Sequence, residues 1–501
     1  MSASPAPSFE IALPDEAASL QLGEDLALAV KPGDTLLLQG DLGAGKSTLA
    51  RALIRAMADD PDLEVPSPTF TLVQSYELRI PVAHFDLYRL GDPDELVELG
   101  LDELSHTGIC LIEWPERAEG RLPKRAATLD FAQEGEGRRL TVSGDPAILQ
   151  RLTRSLEIRA FLDRAGLVGA TRRHLTGDAS VRGYERIRIT GEADRVLMDS
   201  PRAKPGPILE DGLYYQQLAH IAEDIRAFVG IDLELASRGF AVPGIEADAY
   251  DQGLLLVEEL GRDGILDGAG RPIEDRYHAV AEVLAALHAQ PFRRSIPLPD
   301  GTQHEIPDFD RRAMKIEIRL LLDWYLPHAR GTPAGEEERA SYSAVWDQLI
   351  DRISDGETNL LLRDVHSPNI LWRPDKTGID RVGLIDFQDA MIGPTAYDLA
   401  SLIQDARVDI APEMSDRLCD AYIAARRRLG PFDEVTFRRD LHVMEAQRNC
   451  KLLGIWVRLK DRDGKPGYMQ HMPRTMEYLE RALAHPALAP LHGWLRQVRI
   501  L

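Results

Sequence analysis

Cysteine is scarce in this 501-residue chain: Cys110, Cys419 and Cys450 are the only three. They stand far apart and share no metal-ligand spacing, which excludes a disulfide framework and a structural zinc cluster and points to a reducing compartment. Long apolar runs are missing as well. No stretch of about 18 apolar residues occurs, so no membrane span is expected, and residues 1–10 lack a basic segment followed by an apolar one. These absences predict a cytoplasmic protein. Basic residues are in the minority, 59 Lys and Arg against 81 Asp and Glu for a net charge of −22. That balance opposes tight autonomous binding to nucleic acid, because phosphate contacts need clustered cations. Any role on RNA would run through a partner, and the plainer meaning of the acidity is a solvated surface.

What is present is an ordinary globular composition, 44% hydrophobic and 28% charged, in a chain long enough for two or three compact units. From about residue 11 to 144, short apolar strands alternate with helical segments, the pattern of an α/β layer on a largely parallel sheet. Thr128-Leu129-Asp130-Phe131 and Leu140-Thr141-Val142, separated by Glu134-Gly135-Glu136-Gly137, read as a closing hairpin. Residues 147–163 read as a helix. With a G-x-x-x-x-G-K-[ST] string at residues 40–47 in the first part, the expected division is 1–147 for an α/β P-loop NTPase domain, 148–160 for a linker or first helix, 161–262 for a small α+β lobe with a helix near 213–229, and 263–501 for a mainly helical lobe.

Gly40-Asp41-Leu42-Gly43-Ala44-Gly45-Lys46-Ser47 fits G-x-x-x-x-G-K-[ST] between a strand at residues 35–39 and a helix starting at Lys46. Glycines let backbone N–H groups turn toward phosphates, Lys46 reaches the terminal phosphates, and Ser47 offers an oxygen to Mg²⁺. A carboxylate must complete such a site, and Glu113, at the end of the apolar run 108–112, is the candidate, with Asp86 competing. With Thr48, Pro66-Ser67-Pro68-Thr69-Phe70-Thr71-Leu72-Val73, His84-Phe85-Asp86-Leu87-Tyr88-Arg89-Leu90 and Ile112-Glu113-Trp114-Pro115-Glu116, residues 8–145 resemble the TsaE family. The resemblance implies an ATPase that supports N6-threonylcarbamoylation of adenosine 37 in tRNA, working with TsaD and TsaB and reaching tRNA only through them. It also implies that Ser47 and Glu113 hold magnesium, that residues 40–48 hold the nucleotide, and that Thr69, Thr71 and Asp86 form a switch-like region, with Asp86 as a catalytic group.

A second pattern lies at Leu362-Arg363-Asp364-Val365-His366-Ser367-Pro368-Asn369, followed by Leu384-Ile385-Asp386-Phe387-Gln388-Asp389. This is D-x-x-x-x-N, a strand, then a second Asp, the spacing of a kinase site. There the first Asp accepts the proton of an attacking hydroxyl while the Asn and second Asp hold Mg²⁺ bridging ATP phosphates. Asp364, Asn369 and Asp386 take these roles. With Gly393-Pro394 and Tyr397-Asp398-Leu399-Ala400, residues 160–485 resemble the bilobal, protein-kinase-like aminoglycoside-phosphotransferase fold. Gly177-Asp178-Ala179-Ser180, residues 196–201, residues 256–261 and Arg462-Asp463-Gly464-Lys465-Pro466-Gly467-Tyr468 narrow the likeness to AmgK, anomeric kinases of N-acetylmuramate and N-acetylglucosamine in cell-wall recycling. That resemblance implies ATP and Mg²⁺, adenine against Glu258 and Leu260, the 177–183 turn over the phosphates, and a sugar side near Arg462, Lys465 and Tyr468. Aminoglycoside, choline or homoserine acceptors, and a non-catalytic pseudokinase module, remain open beside it.

The chain departs from many kinases of this fold at two points. Leu362 stands where a His often precedes the catalytic Asp by two residues, and Met198-Asp199 stands where the third strand often carries a Lys. Arg182, Arg202, Lys204 or the metal would then supply the positive charge. AmgK relatives share the Met-Asp feature. His288 reads as a packing or hinge residue, and His366 as either a substrate contact or a support for its loop.

Overall fold

The run Thr35–Gln39 is apolar at three consecutive positions, and Ile109–Glu113 is buried at all five. Strands covered on both faces need such continuous apolar sequence, and the two pair in parallel with Leu38 opposite Glu113. The computed structural model describes residues 8–175, 182–202 and 205–501, which divide into two compact units, Met1–Asp199 and Ser200–Leu501. No helix among the described residues is long and apolar enough to cross a membrane.

In chain order the first unit runs β1 (Ser8–Leu13), α1 (Glu16–Ala29), β2 (Thr35–Gln39), α2 (Lys46–Ala58), β3 (Val73–Tyr76), β4 (Val82–Asp86), α3 (Glu95–Glu98), α4 (Leu101–Thr107), β5 (Ile109–Glu113), β6 (Ala126–Glu134), β7 (Gly137–Gly144), α5 (Pro146–Arg164), β8 (Thr171–Leu175), β9 (Gly183–Arg188) and β10 (Arg195–Asp199). A seven-stranded sheet is ordered β1-β7-β6-β2-β5-β4-β3. Its middle is parallel, β6 with β2, β2 with β5 and β5 with β4, and its two margins are antiparallel hairpin partners. The expected hairpin at residues 134–137 is the β6–β7 turn. Helix α2 buries Leu49, Leu53, Ile54 and Met57 at helical spacing, each of the first three contributing about 1.5–3 kcal/mol of apolar burial. Asp145 caps α5 by accepting from the amides of Ala147 and Ile148. Beyond α5, β8, β9 and β10 form an antiparallel meander.

The second unit opens with a short hairpin and two helices, Tyr215–Leu218 and Ile225–Ser237. The expected single helix at 213–229 is thus broken, because Asp224 caps a new start by accepting from the Arg226 amide. The hairpin Ile245–Ala249 with Leu254–Glu258 follows, then the helix Glu274–His288. Most of the remainder is helical around Glu434–Asp461, a 28-residue helix about 42 Å long. It is buried over most of its circumference, including Glu445, Gln447, Arg448, Asn449 and Lys451. Polar residues inside a core need partners: Glu445 pairs with His442, Asn449 donates to Gln404, Gln447 and Lys451 meet Glu317, and Arg448 reaches the loop around Asp364.

Candidate functional site

In the first unit the turn after β2 carries Gly40, Gly43 and Gly45 at φ of 132°, 78° and 109°, left-handed values that favour glycine. A Cβ on Gly40 would stand 2.8 Å from the Phe131 carbonyl oxygen, so the loop passes this close to β6 only as glycine. Asp41, Leu42 and Gly43 are exposed, Ala44 is buried, and Thr48 is half-buried in the first turn of α2. Lys46 Nζ donates to the carbonyls of Gly40 (2.5 Å) and Asp41 (2.9 Å) and lies 3.7 Å from the centre of the Trp114 ring. Burial pulls its pKa below the ordinary lysine value despite the carboxylates nearby.

Parallel pairing of β4 with β5 sets Asp86 beside Glu113, and pairing of β5 with β2 brings both to the edge from which the glycine turn springs. Ser47 Oγ donates to Glu113 Oε2 at 2.9 Å. His84 Nε2 lies 2.9 Å from Glu113 Oε1. A carboxylate oxygen only accepts, so the His84 proton sits on Nε2. Asp86 accepts from Ser67 Oγ (2.9 Å), Thr69 Oγ1 (2.7 Å) and the Tyr88 amide (3.1 Å), while Thr71 stays exposed. The structure therefore gathers Lys46, Ser47, Asp86, Glu113 and Thr69 at one sheet edge and leaves Thr71 outside it. Sequence reasoning missed the loop's other flank, where a cavity of about 430 Å³ is lined by Asp130, Phe131, Gln133 and Arg138 as well as by the glycine turn. Arg138 donates to the Ala44 carbonyl at 3.2 Å; only the return of β7 along β6 brings it there.

In the second unit Asp364 follows the strand Thr358–Leu361, and Asn369 ends a short turn before the strand Ile370–Trp372. Asn369 Nδ2 donates to the Asp364 carbonyl at 3.0 Å and to Asp386 Oδ2 at 3.3 Å, and Gln388 Nε2 donates to Asp386 Oδ1 at 3.0 Å. Arg363 and Asp386 hold φ of 72° and 60°, conformations that cost free energy outside glycine. The cost is met by neighbours. Buried Asp398 accepts from the amides of Leu362 (2.7 Å) and Arg363 (2.9 Å), and Asp405 accepts from the Ser367 amide (2.8 Å). His288 sits 2.8 Å from the Tyr422 hydroxyl and 3.4 Å from Asp398, a packing role.

Beneath the loop lies a charge cluster that no motif announced. Glu317 is fully buried and takes Arg363 Nη2 and Lys451 Nζ (2.9 Å) on one oxygen and Gln447 Nε2 (2.9 Å) on the other. Arg448 Nη1 comes to 4.0 Å of Asp364 Oδ1. Burial pushes the Asp364 carboxyl up, but the charges of Lys451, His366, Arg448 and Arg363 outweigh it and hold the pKa down at about 2. Burial, reinforced by Arg407, drives the His366 pKa below the ordinary value, so the ring is neutral near pH 7.

Leu260 is buried, and its Cδ1 would lie 3.2 Å from a Cβ at Gly383, on the hairpin that leads to Asp386. Together with Trp372 and Arg373 it borders a cavity of about 340 Å³. Glu258 turns its carboxylate to the Gly244 amide at 3.3 Å, and its own amide donates to the Gly244 carbonyl at 2.8 Å. Asp199 is paired with Arg154 Nη2 at 2.6 Å. Arg202 is largely exposed and 3.9 Å from Asp224. Most of the 177–183 turn and Lys204 lie outside the described residues. Tyr468 stacks on Trp456 with ring centres 5.9 Å apart, and Arg462 turns to Asp463.

Comparison with known proteins matches each part of the chain to a family. The family described as "Threonylcarbamoyl adenosine biosynthesis protein TsaE" matches residues 13–141, and the "Phosphotransferase enzyme family" matches residues 171–432. An N-acetylmuramate/N-acetylglucosamine kinase of Caulobacter vibrioides is 34% identical over 346 residues, 67% of this chain and 94% of that protein. One from Pseudomonas aeruginosa is 30% identical over 320 residues, 63% of this chain and 85% of that protein. A tRNA threonylcarbamoyladenosine biosynthesis protein TsaE of Haemophilus influenzae is 41% identical over 119 residues, 22% of this chain and 74% of that protein. The chain is thus a fusion of two enzyme modules, belonging to the TsaE family through its N-terminal part and to the phosphotransferase enzyme family, alongside the N-acetylmuramate/N-acetylglucosamine kinases, through the remainder.

Proposed function

We propose that the chain is a cytoplasmic bifunctional protein, an ATPase supporting threonylcarbamoylation of tRNA adenosine 37 and an ATP-dependent kinase of the anomeric hydroxyl of N-acetylmuramate or N-acetylglucosamine. The division of labour follows residues 1–147 for the first activity, 148–160 as linker or first helix, and 161–262 with 263–501 as the two kinase lobes. The Asn369 amide that joins the Asp364 carbonyl to the Asp386 carboxylate carries the kinase reading, since it ties the proton acceptor to a metal-binding group in one loop. Asp364 takes the proton of the C1 hydroxyl as its oxygen bonds to the γ-phosphorus of ATP, the bond to the β-phosphate oxygen breaks, and sugar 1-phosphate and ADP leave. Asp386 and Asn369 present hard oxygens, and two protein ligands suit Mg²⁺, which takes its remaining partners from phosphates and water. Bound there, Mg²⁺ would offset phosphate charge. Glu258 and Leu260 face the adenine through the hinge backbone. The cations around Asp364 favour an acidic acceptor such as N-acetylmuramate over a polycationic aminoglycoside.

In the first domain, Lys46 and the backbone of residues 40–48 hold the phosphates, Ser47 and Glu113 supply oxygen ligands to Mg²⁺, and Asp86, braced by Ser67 and Thr69, acts beside the terminal phosphate. TsaD- and TsaB-like proteins are the partners, and tRNA is reached only through them. The test is conversion of both sugars to 1-phosphates by the intact chain beside Asp364→Ala and Lys46→Ala. Product lost with Asp364→Ala but kept with Lys46→Ala supports the reading. No product from either sugar in the unaltered chain overturns it in favour of another hydroxyl acceptor or a pseudokinase module.

A further inference from the structure

The phosphotransferase match begins at residue 171, yet the first compact unit runs on to Asp199. Strands β8 and β9 thus fall within the phosphotransferase match and also pack on α1 and α5 of the P-loop unit, through a buried ion cluster. Asp25 of α1 is 2% exposed, and its Oδ1 accepts from Arg172 of β8 at 2.6 Å and from Arg159 of α5 at 2.9 Å. Arg172, whose side chain is wholly buried, also grips Glu185 of β9 through two bonds of 2.7 and 2.8 Å and donates to the Ser155 carbonyl of α5 at 2.8 Å. Glu24 adds Arg173 at 3.1 Å and Arg159 at 3.2 Å. Three carboxylates and three guanidinium groups balance, as buried charges must.

A second tie runs through the nucleotide helix itself. Helix α2 begins at Lys46 and ends on Asp59, whose carboxylate pairs with Arg173 of β8 and lies 3.8 Å from Arg188 of β9. Along its length α2 is pressed on α1: a Cβ at Gly23 would stand 2.4 Å from Ala52 Cβ. A helix of 13 residues spans about 20 Å. The P-loop thus sits at one end of a stiff rod whose other end holds the two strands that flank the kinase's 177–183 turn in sequence.

We propose that the face of the P-loop domain formed by Glu24, Asp25 and Asp59 is a built-in docking surface for the kinase's opening strands, so that the first domain holds in place β8 and β9, the two strands between which the 177–183 segment runs in sequence. The proposal rests on the kinase reading for its catalytic readout only. In the intact chain, Arg172→Met is expected to speed amide hydrogen exchange in residues 171–188 and to raise the KM for ATP in sugar phosphorylation about fivefold or more, with the KM for sugar unchanged. Asp59→Ala, at a half-exposed position that does not threaten folding, should do the same more weakly. The triple variant Asp25→Leu, Arg172→Met, Glu185→Leu replaces the ions by apolar packing, keeps the scaffold, and should bring the KM for ATP back to within about twofold of the unaltered chain. Unchanged exchange and unchanged KM in both Arg172→Met and Asp59→Ala overturn the proposal, as does an equal rise in both KM values. If the unaltered chain phosphorylates no sugar, the functional reading fails while hydrogen exchange alone still decides this one.

Discussion

Glu317→Gln removes one negative charge from the core of the second unit and leaves the shape of the side chain almost untouched. Glu317 is fully buried and neutralises two cations, Arg363 and Lys451. Breaking a buried pair from one side costs about 3–5 kcal/mol, because the orphaned charge stays in the interior. The new amide aggravates the loss: its NH₂ group would meet either Gln447 Nε2 or a cation, donor against donor. A loss of about 4 kcal/mol is expected, a large fraction of a domain stability of about 5–15 kcal/mol. Urea unfolding followed by tryptophan fluorescence reads it, because five of the six tryptophans, Trp324, Trp346, Trp372, Trp456 and Trp494, lie in this unit and only Trp114 lies outside it. Lys451→Met alone should cost less, since Arg363 keeps its partner, and the double variant should lose at least about 1.5 kcal/mol less than the sum of the singles. A Glu317→Gln loss under about 1 kcal/mol, or simple additivity with Lys451→Met, would refute the reasoning.

Gly23→Val forces a side chain into the α1–α2 contact, where even a Cβ would meet Ala52 at 2.4 Å, and should lower the first unit's stability by at least about 1–3 kcal/mol in a thermal melt. Arg448→Met removes one of the cations that hold Asp364 low, so the acid limb of the kcat profile for sugar phosphorylation should move to higher pH, most clearly near the limb itself. The His366 pKa is lower in the folded chain than the ordinary 6.5, so the unfolded chain takes up the proton first as pH falls. Its stabilising contribution is complete above pH 6.5 and is lost progressively below it, and His366→Asn should flatten that dependence between pH 7.5 and 5 in denaturant titrations. Asp199→Lys would set an ammonium against Arg154 in a mostly buried corner, costing about 1–2 kcal/mol and giving no gain in sugar phosphorylation.

Both glycine turn and catalytic loop were legible because their chemistry is local. Residues 40–47 need only a strand before them and a helix after, and Asp364, Asn369 and Asp386 lie within a span of 23 positions on one loop and hairpin. The place of Glu113 at a strand end, with Asp86 competing, was readable too, since an apolar strand ending in an acid delivers that acid to the edge of a parallel sheet; its hydrogen bond with Ser47 was not. Arg138 and Asp130 were not, because only the register of β6 with β7 and β2 carries them to the loop. Nor was Glu317, nor Gln447, Arg448 and Lys451: a 28-residue helix with polar residues scattered around its circumference shows no amphipathic stripe, and its polar positions look like solvent positions until the fold surrounds them.

The absent third-strand lysine has the same explanation. Read alone, Met198-Asp199 looks like a lost phosphate ligand. In the fold, Asp199 is already engaged by Arg154 of α5, the helix that also supplies Arg159 and the Ser155 carbonyl to the cluster around Asp25. A lysine in that corner would oppose Arg154 and gain no carboxylate in return. The cations that do stand beside the reacting carboxylate, Arg448 and Lys451, come from the helix beneath the catalytic loop, where Glu317 and Asp364 keep them ordered. Those two cations, 84 and 87 positions further along the chain, act on the Asp364 carboxylate and hold its pKa down; neutralising the ATP phosphates is a separate task, for which Arg182, Arg202, Lys204 and the metal stand as the expected candidates.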